Sequence, residues 1–139
     1  MQIRKIFIAG ITGGLTLFAL GIVIYLLLFG SADFHHGPTA EVARRHPVIF
    51  WIIILMELLY GFFLAWIFHS WARIRTFSRG LRSGALVGFL IGLCIGLQIY
   101  GETSVFNAYY IAFWSVTWAI RWAVAGGVIG FILGRGDQS

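Results

Sequence analysis

The chain has 139 residues, of which 60% are hydrophobic and 11% are charged, and its formal net charge is +5. A soluble domain carries about 25% charged residues, so this chain has too few charges to cover a water-facing surface. Composition therefore excludes a soluble globular protein and predicts an all-α integral membrane protein.

Four apolar stretches are long enough to cross a bilayer, which takes about 20 helical residues. The first is too long for the core of a signal peptide, about 7–15 residues, so we expect it to be retained. Because the later connections are short, we predict one four-transmembrane-helix bundle over residues 1–139, built from two sequential hairpins. The predicted spans are residues 6–29, 48–71, 81–101 and 110–133.

The basic residues predict the orientation of these spans. With both termini inside, the cytoplasmic side carries seven of them and the outer side carries only Arg44 and Arg45. This asymmetry follows the positive-inside rule and predicts N-in, C-in topology. We attribute the positive charge to topology and to anionic lipid headgroups, and we predict no nucleic-acid partner. The seven inner residues are Arg4, Lys5, Arg73, Arg75, Arg79, Arg82 and Arg135.

Glycine recurs at every fourth position of the third span. Glycine costs a helix about 1 kcal/mol in water, but in lipid it lets two helix backbones approach closely. Residues four apart lie on one face of a helix, so the pattern predicts a packing groove. We call this set the glycine ladder: Gly80, Gly84, Gly88, Gly92 and Gly96.

The fourth span carries a matching stripe at the same spacing. Its members are Trp114, Trp118, Trp122, Gly126, Gly130 and Gly134. We expect the three tryptophans to lie over Gly88, Gly92 and Gly96, and we expect Gly126 and Gly130 to face Gly80 and Gly84 at close backbone approach. Two alternatives remain open for the ladder: it packs against another copy of the protein, or it uses the small-residue pair Gly10 and Gly14 of the first span.

The tryptophans also have an alternative interpretation. A row of indole rings can stack against an aromatic or lipid ligand, although such rows at helical spacing are more often part of a core. The possible ligand face consists of Trp114, Trp118 and Trp122.

Two charges of opposite sign lie deep in the predicted spans. Glu57 lies nine residues into the second span and Arg121 about eleven into the fourth, so both come within roughly 5 Å of the bilayer centre at a rise of ~1.5 Å per residue. A charge at that depth costs about 2.5–3.5 kcal/mol even on insertion scales. We predict an ion pair that fixes which helix faces meet. The alternative is a polar site in which Glu57 binds a proton or a cation.

Other chemistry is poorly supported by the sequence. There is no nucleophile elbow, zinc-protease signature or phosphate-binding loop, and Cys94 is the only cysteine, which rules out an intrachain disulfide. The loop after the first span contains acids and histidines whose spacing matches no zinc signature. We predict no enzyme activity, no metal and no cofactor. The loop residues are Asp33, His35, His36, Glu41 and His46.

Several short motifs carry a resemblance to a known group. They are Leu59-Tyr60-Gly61, Leu64-Ala65, Trp71-Ala72, Phe77, the first three ladder glycines and Tyr100-Gly101. In these the chain resembles a group of uncharacterised small four-span bacterial membrane proteins. The resemblance implies a bacterial inner-membrane protein and supplies no activity.

Together these observations predict a non-catalytic integral membrane protein that forms a homo-oligomer or serves as a small subunit of a larger membrane assembly. One alternative is a small transporter or channel with a proton or cation site at Glu57. Another is a lipid- or cofactor-binding membrane protein that uses the tryptophan face.

Overall fold

The structure, a computed structural model, describes residues 2–24, 49–102 and 108–135. All regular secondary structure in these ranges is α-helical, and each of the four helices is long and apolar enough to cross a membrane. An all-α protein with four candidate membrane spans is thereby confirmed. The helices are α1 Gln2–Ile24, α2 Phe50–Ser70, α3 Phe77–Glu102 and α4 Ala108–Gly134.

Helix boundaries differ from the predicted spans mainly at the basic ends. α3 begins at Phe77, four residues before the predicted start. The hydroxyl of Thr76 accepts a hydrogen bond from the backbone N–H of Arg79 at 3.3 Å, a side-chain cap that hydropathy alone does not reveal. α1 likewise begins at Gln2, and the predicted residues 25–29 and 48 lie outside the described residues.

α4 is the central helix. In the apolar 18-residue stretch of α4, 50% is buried inside the protein, against 22–28% in the corresponding stretches of the other three helices. It packs most extensively against α3 and also contacts α1 and α2, while α1 packs against α2. Because it touches all three other helices, α4 is where their polar and small residues can meet.

The small residues of α1 pack against α2. A β-carbon on Gly61 would collide with the carbonyl oxygen of Gly10 and would lie 2.8 Å from the Cα of Gly14. A β-carbon on Gly14 would lie 2.8 Å from the Cα of Leu58. The sequence had left the first span's pair open for the third span; here α2 occupies it, because Gly61 is small enough to allow backbone contact.

Buried polar groups of α4 bond to their own helix. Ser115 donates to the carbonyl of Ile111 at 2.8 Å, and Thr117 donates to the carbonyl of Trp114 at 2.8 Å. These bonds satisfy hydroxyls that would otherwise be costly to bury. The apolar core around them is contributed by α1, α2 and α4 and includes Leu17, Leu64, Phe68, Trp118, Trp122 and Ile129.

Candidate functional site

An ion pair joins α2 to α4. Arg121 Nη2 donates a hydrogen bond to Glu57 Oε1. The side chain of Glu57 is 5% exposed and that of Arg121 is 12% exposed, so the pair lies in the packed interior. The structure thus brings together the two charged residues that the sequence placed at one depth.

Arg121 also binds a third helix. The same Nη2 donates to the backbone carbonyl of Leu17 on α1 at 3.0 Å. Gly21, one helical turn further along α1, leaves room for this approach: a β-carbon there would lie 3.0 Å from Nη2 and 3.2 Å from Cζ of Arg121. A carbonyl has two lone pairs, so Leu17 can accept this bond in addition to a helical one. Arg121 therefore links α1, α2 and α4 at one point.

Aromatic rings surround the pair. The guanidinium of Arg121 lies 5.8 Å from the ring centroid of Trp118, which is within cation–π range. Trp118 stacks on Trp122 with centroids 5.9 Å apart and an angle of 17° between the rings. Tyr60 of α2 packs edge-on against both, at 5.7 and 5.2 Å. These rings shield the ion pair and strengthen its electrostatic attraction.

The tryptophans of α4 lie over one part of the glycine ladder. A β-carbon on Gly88 would collide with Cβ of Trp122, and one on Gly92 would lie 2.8 Å from Cβ of Trp118. Trp122 is fully buried and Trp118 is 5% exposed. The two inner tryptophans are therefore packed within this chain. Trp114 is the least buried of the three, and its Cδ1 atom would lie 3.6 Å from a β-carbon on Gly96.

The other part of the ladder makes backbone contact. A β-carbon on Gly80 would collide with the carbonyl oxygen of Gly126, and one on Gly84 would collide with the carbonyl oxygen of Trp122. The stripe continues beyond the start of α3: Gly130 faces the carbonyl of Thr76, and Gly134 faces that of Arg75. α4 of the same chain therefore fills the ladder along its length.

Some polar atoms of the site are buried without a hydrogen-bond partner among the described residues. They are Oε2 of Glu57, Nε of Arg121 and the indole nitrogens of Trp118 and Trp122. A buried polar atom without a partner costs about 1–3 kcal/mol. The indole nitrogens are buried without such a partner because the rings that carry them are tightly packed. For Glu57 it leaves one carboxylate oxygen able to accept a proton or another hydrogen bond.

The predicted outer-loop residues from Asp33 to His46, with Arg44 and Arg45, lie outside the described residues.

A comparison with protein families, curated proteins and solved structures finds no match for this chain. By its four apolar helices it is a multi-pass membrane protein. The resemblance noted in the sequence stays a prediction.

Proposed function

We propose that this protein is a non-catalytic component of the bacterial inner membrane, with both termini in the cytoplasm, which acts as a homo-oligomer or as a small subunit of a larger membrane assembly. The observation that carries the proposal is the position of Arg121. Its guanidinium is engaged by Glu57 of α2 and by the Leu17 carbonyl of α1, a use that holds helices together.

Close packing supports the same function. A transporter needs helices that move past one another, whereas backbone contacts such as those of Gly80 with Gly126 and Gly61 with Gly10 favour one fixed arrangement. Large apolar side chains remain on the outer faces, where they suit lipid or the helices of a partner. Examples are Phe7 and Leu15 of α1, Leu59 and Phe63 of α2, and Leu86 and Leu97 of α3.

The orientation is supported by the end at which the charges gather. The basic residues of α1, of the α2–α3 connection and of α3 lie at one end of the helices, the end where Gly134 of α4 packs against Arg75. Anionic lipid and the positive-inside rule both favour that end in the cytoplasm.

Native mass spectrometry after extraction in mild detergent tests the proposal. We expect several copies of the chain in one particle, or a defined partner protein. Cys94 is exposed on α3 and gives an independent readout, because a bifunctional maleimide would join adjacent copies, whereas Cys94→Ser would abolish the product. A monomer with no partner, together with no crosslink in the membrane, would contradict the proposal.

One observation favours a second candidate, a transporter or channel with a proton site at Glu57. Its Oε2 is buried and has no hydrogen-bond partner among the residues described. This candidate predicts proton or cation flux into liposomes containing the protein, and loss of that flux in a folded Glu57→Gln variant. The absence of flux in the unmodified protein, or equal flux in both, would exclude it.

A further inference from the structure

A cavity of about 540 Å³ opens where α1 begins and α2 ends. It has an apolar side, from α1, and a polar side, from the end of α2 and the connection to α3. We call it the basic-end cavity. Its lining residues are Ile3, Ile6, His69, Ser70, Arg73 and Arg75.

The charge that the described residues place around the basic-end cavity is positive. Arg4 and Lys5 lie in the first turns of α1, next to its apolar side, and further arginines begin α3. Within the described ranges the only carboxylates are Glu57, paired in the middle of α2, and Glu102, at the far end of α3. A group of cations at one end of membrane helices attracts anions.

Arg75 is held in place at this cavity. Its Nη1 donates a hydrogen bond to the carbonyl of Leu133 near the end of α4, at 3.1 Å. That bond uses one of the five N–H donors of a guanidinium and holds the group beside the end of α4. A guanidinium can bind a planar or tetrahedral oxyanion through two parallel N–H groups.

Arg73 occupies a backbone position that favours glycine. Its φ is +50°, and it is the one non-glycine residue of the described ranges with positive φ. The turn is closed by the N–H of Ile74, which donates to the carbonyl of Phe68 at 2.9 Å. Glycine would make this turn without cost, whereas an arginine there carries backbone strain, and such strain is found most often at functional sites. The strain indicates a role for the side chain itself.

We propose that the basic-end cavity binds the phosphate group of an anionic phospholipid. Arg73 and Arg75 contact the phosphate oxygens, Ser70 donates a further hydrogen bond, and Ile3 and Ile6 contact the first carbons of an acyl chain. The mixed lining favours a lipid over free phosphate, because free phosphate has no apolar part to place against the isoleucines. The inference is independent of the proposed function and of the orientation, since both leaflets contain phospholipid.

Matched variants test the site. Arg73→Gln and Arg82→Gln each remove one positive charge from the same end, and Arg82 is exposed on α3 and does not line the cavity. The protein is titrated with phosphatidylglycerol in neutral detergent, and bound lipid is measured by native mass spectrometry. We expect Arg73→Gln to bind about tenfold more weakly, as for the loss of a charged hydrogen bond, and Arg82→Gln to bind as the unmodified protein does. Equal weakening in both variants, or in neither, would overturn the proposal.

A third variant separates binding from folding. Arg73→Gly removes the guanidinium and relieves the positive-φ strain, so it should lose lipid while its melting temperature stays equal or rises. A folded Arg73→Gly protein that retains phosphatidylglycerol at full affinity would refute the site.

The source of the phosphate is tested separately by thermal shift in neutral detergent. Short-chain phosphatidylglycerol should raise the melting temperature, and phosphatidylcholine and inorganic phosphate at the same concentration should raise it less. Equal stabilisation by inorganic phosphate would overturn the assignment to a lipid. None of these outcomes depends on the oligomeric state, so failure here is distinct from failure of the proposed function.

Discussion

The carbonyl oxygen of Trp122 lies too close to Gly84 to leave room for the β-carbon of any side chain at position 84. Both partners are backbone of long helices, so neither can turn aside as a flexible side chain would. The contact between α3 and α4 therefore depends on glycine at this position, and it is the most direct test of how the glycine ladder is used.

Gly84→Ala should destabilise the protein. The added methyl group must push α3 away from α4, at a cost of about 1–3 kcal/mol for overpacking. The measurement is the free energy of unfolding in mixed micelles titrated with sodium dodecyl sulfate. Gly101→Ala is the matched control: it lies on the same helix, and a β-carbon there meets nothing within 4 Å. Equal stability of the two variants would show that the ladder does not pack as described.

The ion pair predicts non-additive effects in a double-mutant cycle. Glu57→Gln leaves the Arg121 guanidinium buried without its carboxylate, and Arg121→Gln leaves the carboxylate without its cation. The double variant should be less destabilised than the sum of the single ones, by about 1–3 kcal/mol. Arg121→Gln should be the more costly single change, because Arg121 also bonds the Leu17 carbonyl. The cycle is measured by the free energies of unfolding of the four proteins. Additive effects would show that Glu57 and Arg121 do not stabilise the protein as a pair.

A side chain at position 21 should interfere with the pair. Gly21→Leu places carbon atoms against the guanidinium of Arg121, so we expect a loss of about 1–3 kcal/mol in the unmodified background. The loss should shrink when Glu57→Gln and Arg121→Gln are present, since the shorter amide leaves room. Unfolding of all four proteins is compared in one detergent. A loss of stability of the same size in both backgrounds would mean that glycine at position 21 is needed for the packing of α1 and not to make room for Arg121.

Trp122→Phe should be more harmful than Trp66→Phe. Trp122 is fully buried, and its indole nitrogen has no hydrogen-bond partner within the described ranges, so the change removes packing and leaves a cavity. We expect a cost of about 1–3 kcal/mol. Trp66 is 47% exposed, and its replacement should cost less than about 0.5 kcal/mol. Melting temperatures of the two variants give the comparison, and a tolerant position 122 would favour an open tryptophan face that binds a ligand.

Much of the helical pattern could be read from the sequence. Hydropathy located four spans, because the bilayer leaves long apolar helices as the simplest way to satisfy the backbone. α3 begins four residues before the predicted start, where the hydroxyl of Thr76 caps the helix, and hydropathy carries no signal for such a cap. The loop chemistry from Asp33 to His46 stays a prediction, because these residues lie outside the described ones.

The sequence by itself determined which residues share a helix face and a depth. Spacing of four puts Gly80 and Gly84 on one side of α3, and the rise per residue puts Glu57 level with Arg121. Only the tertiary structure decided which helices use those faces. Arg121 donates a hydrogen bond to a carbonyl 104 positions away on α1, and Gly61 of α2 packs against the pair Gly10 and Gly14 of that helix. Such choices depend on the rotation of each helix about its axis, which is set by contacts among all four helices and by no local pattern.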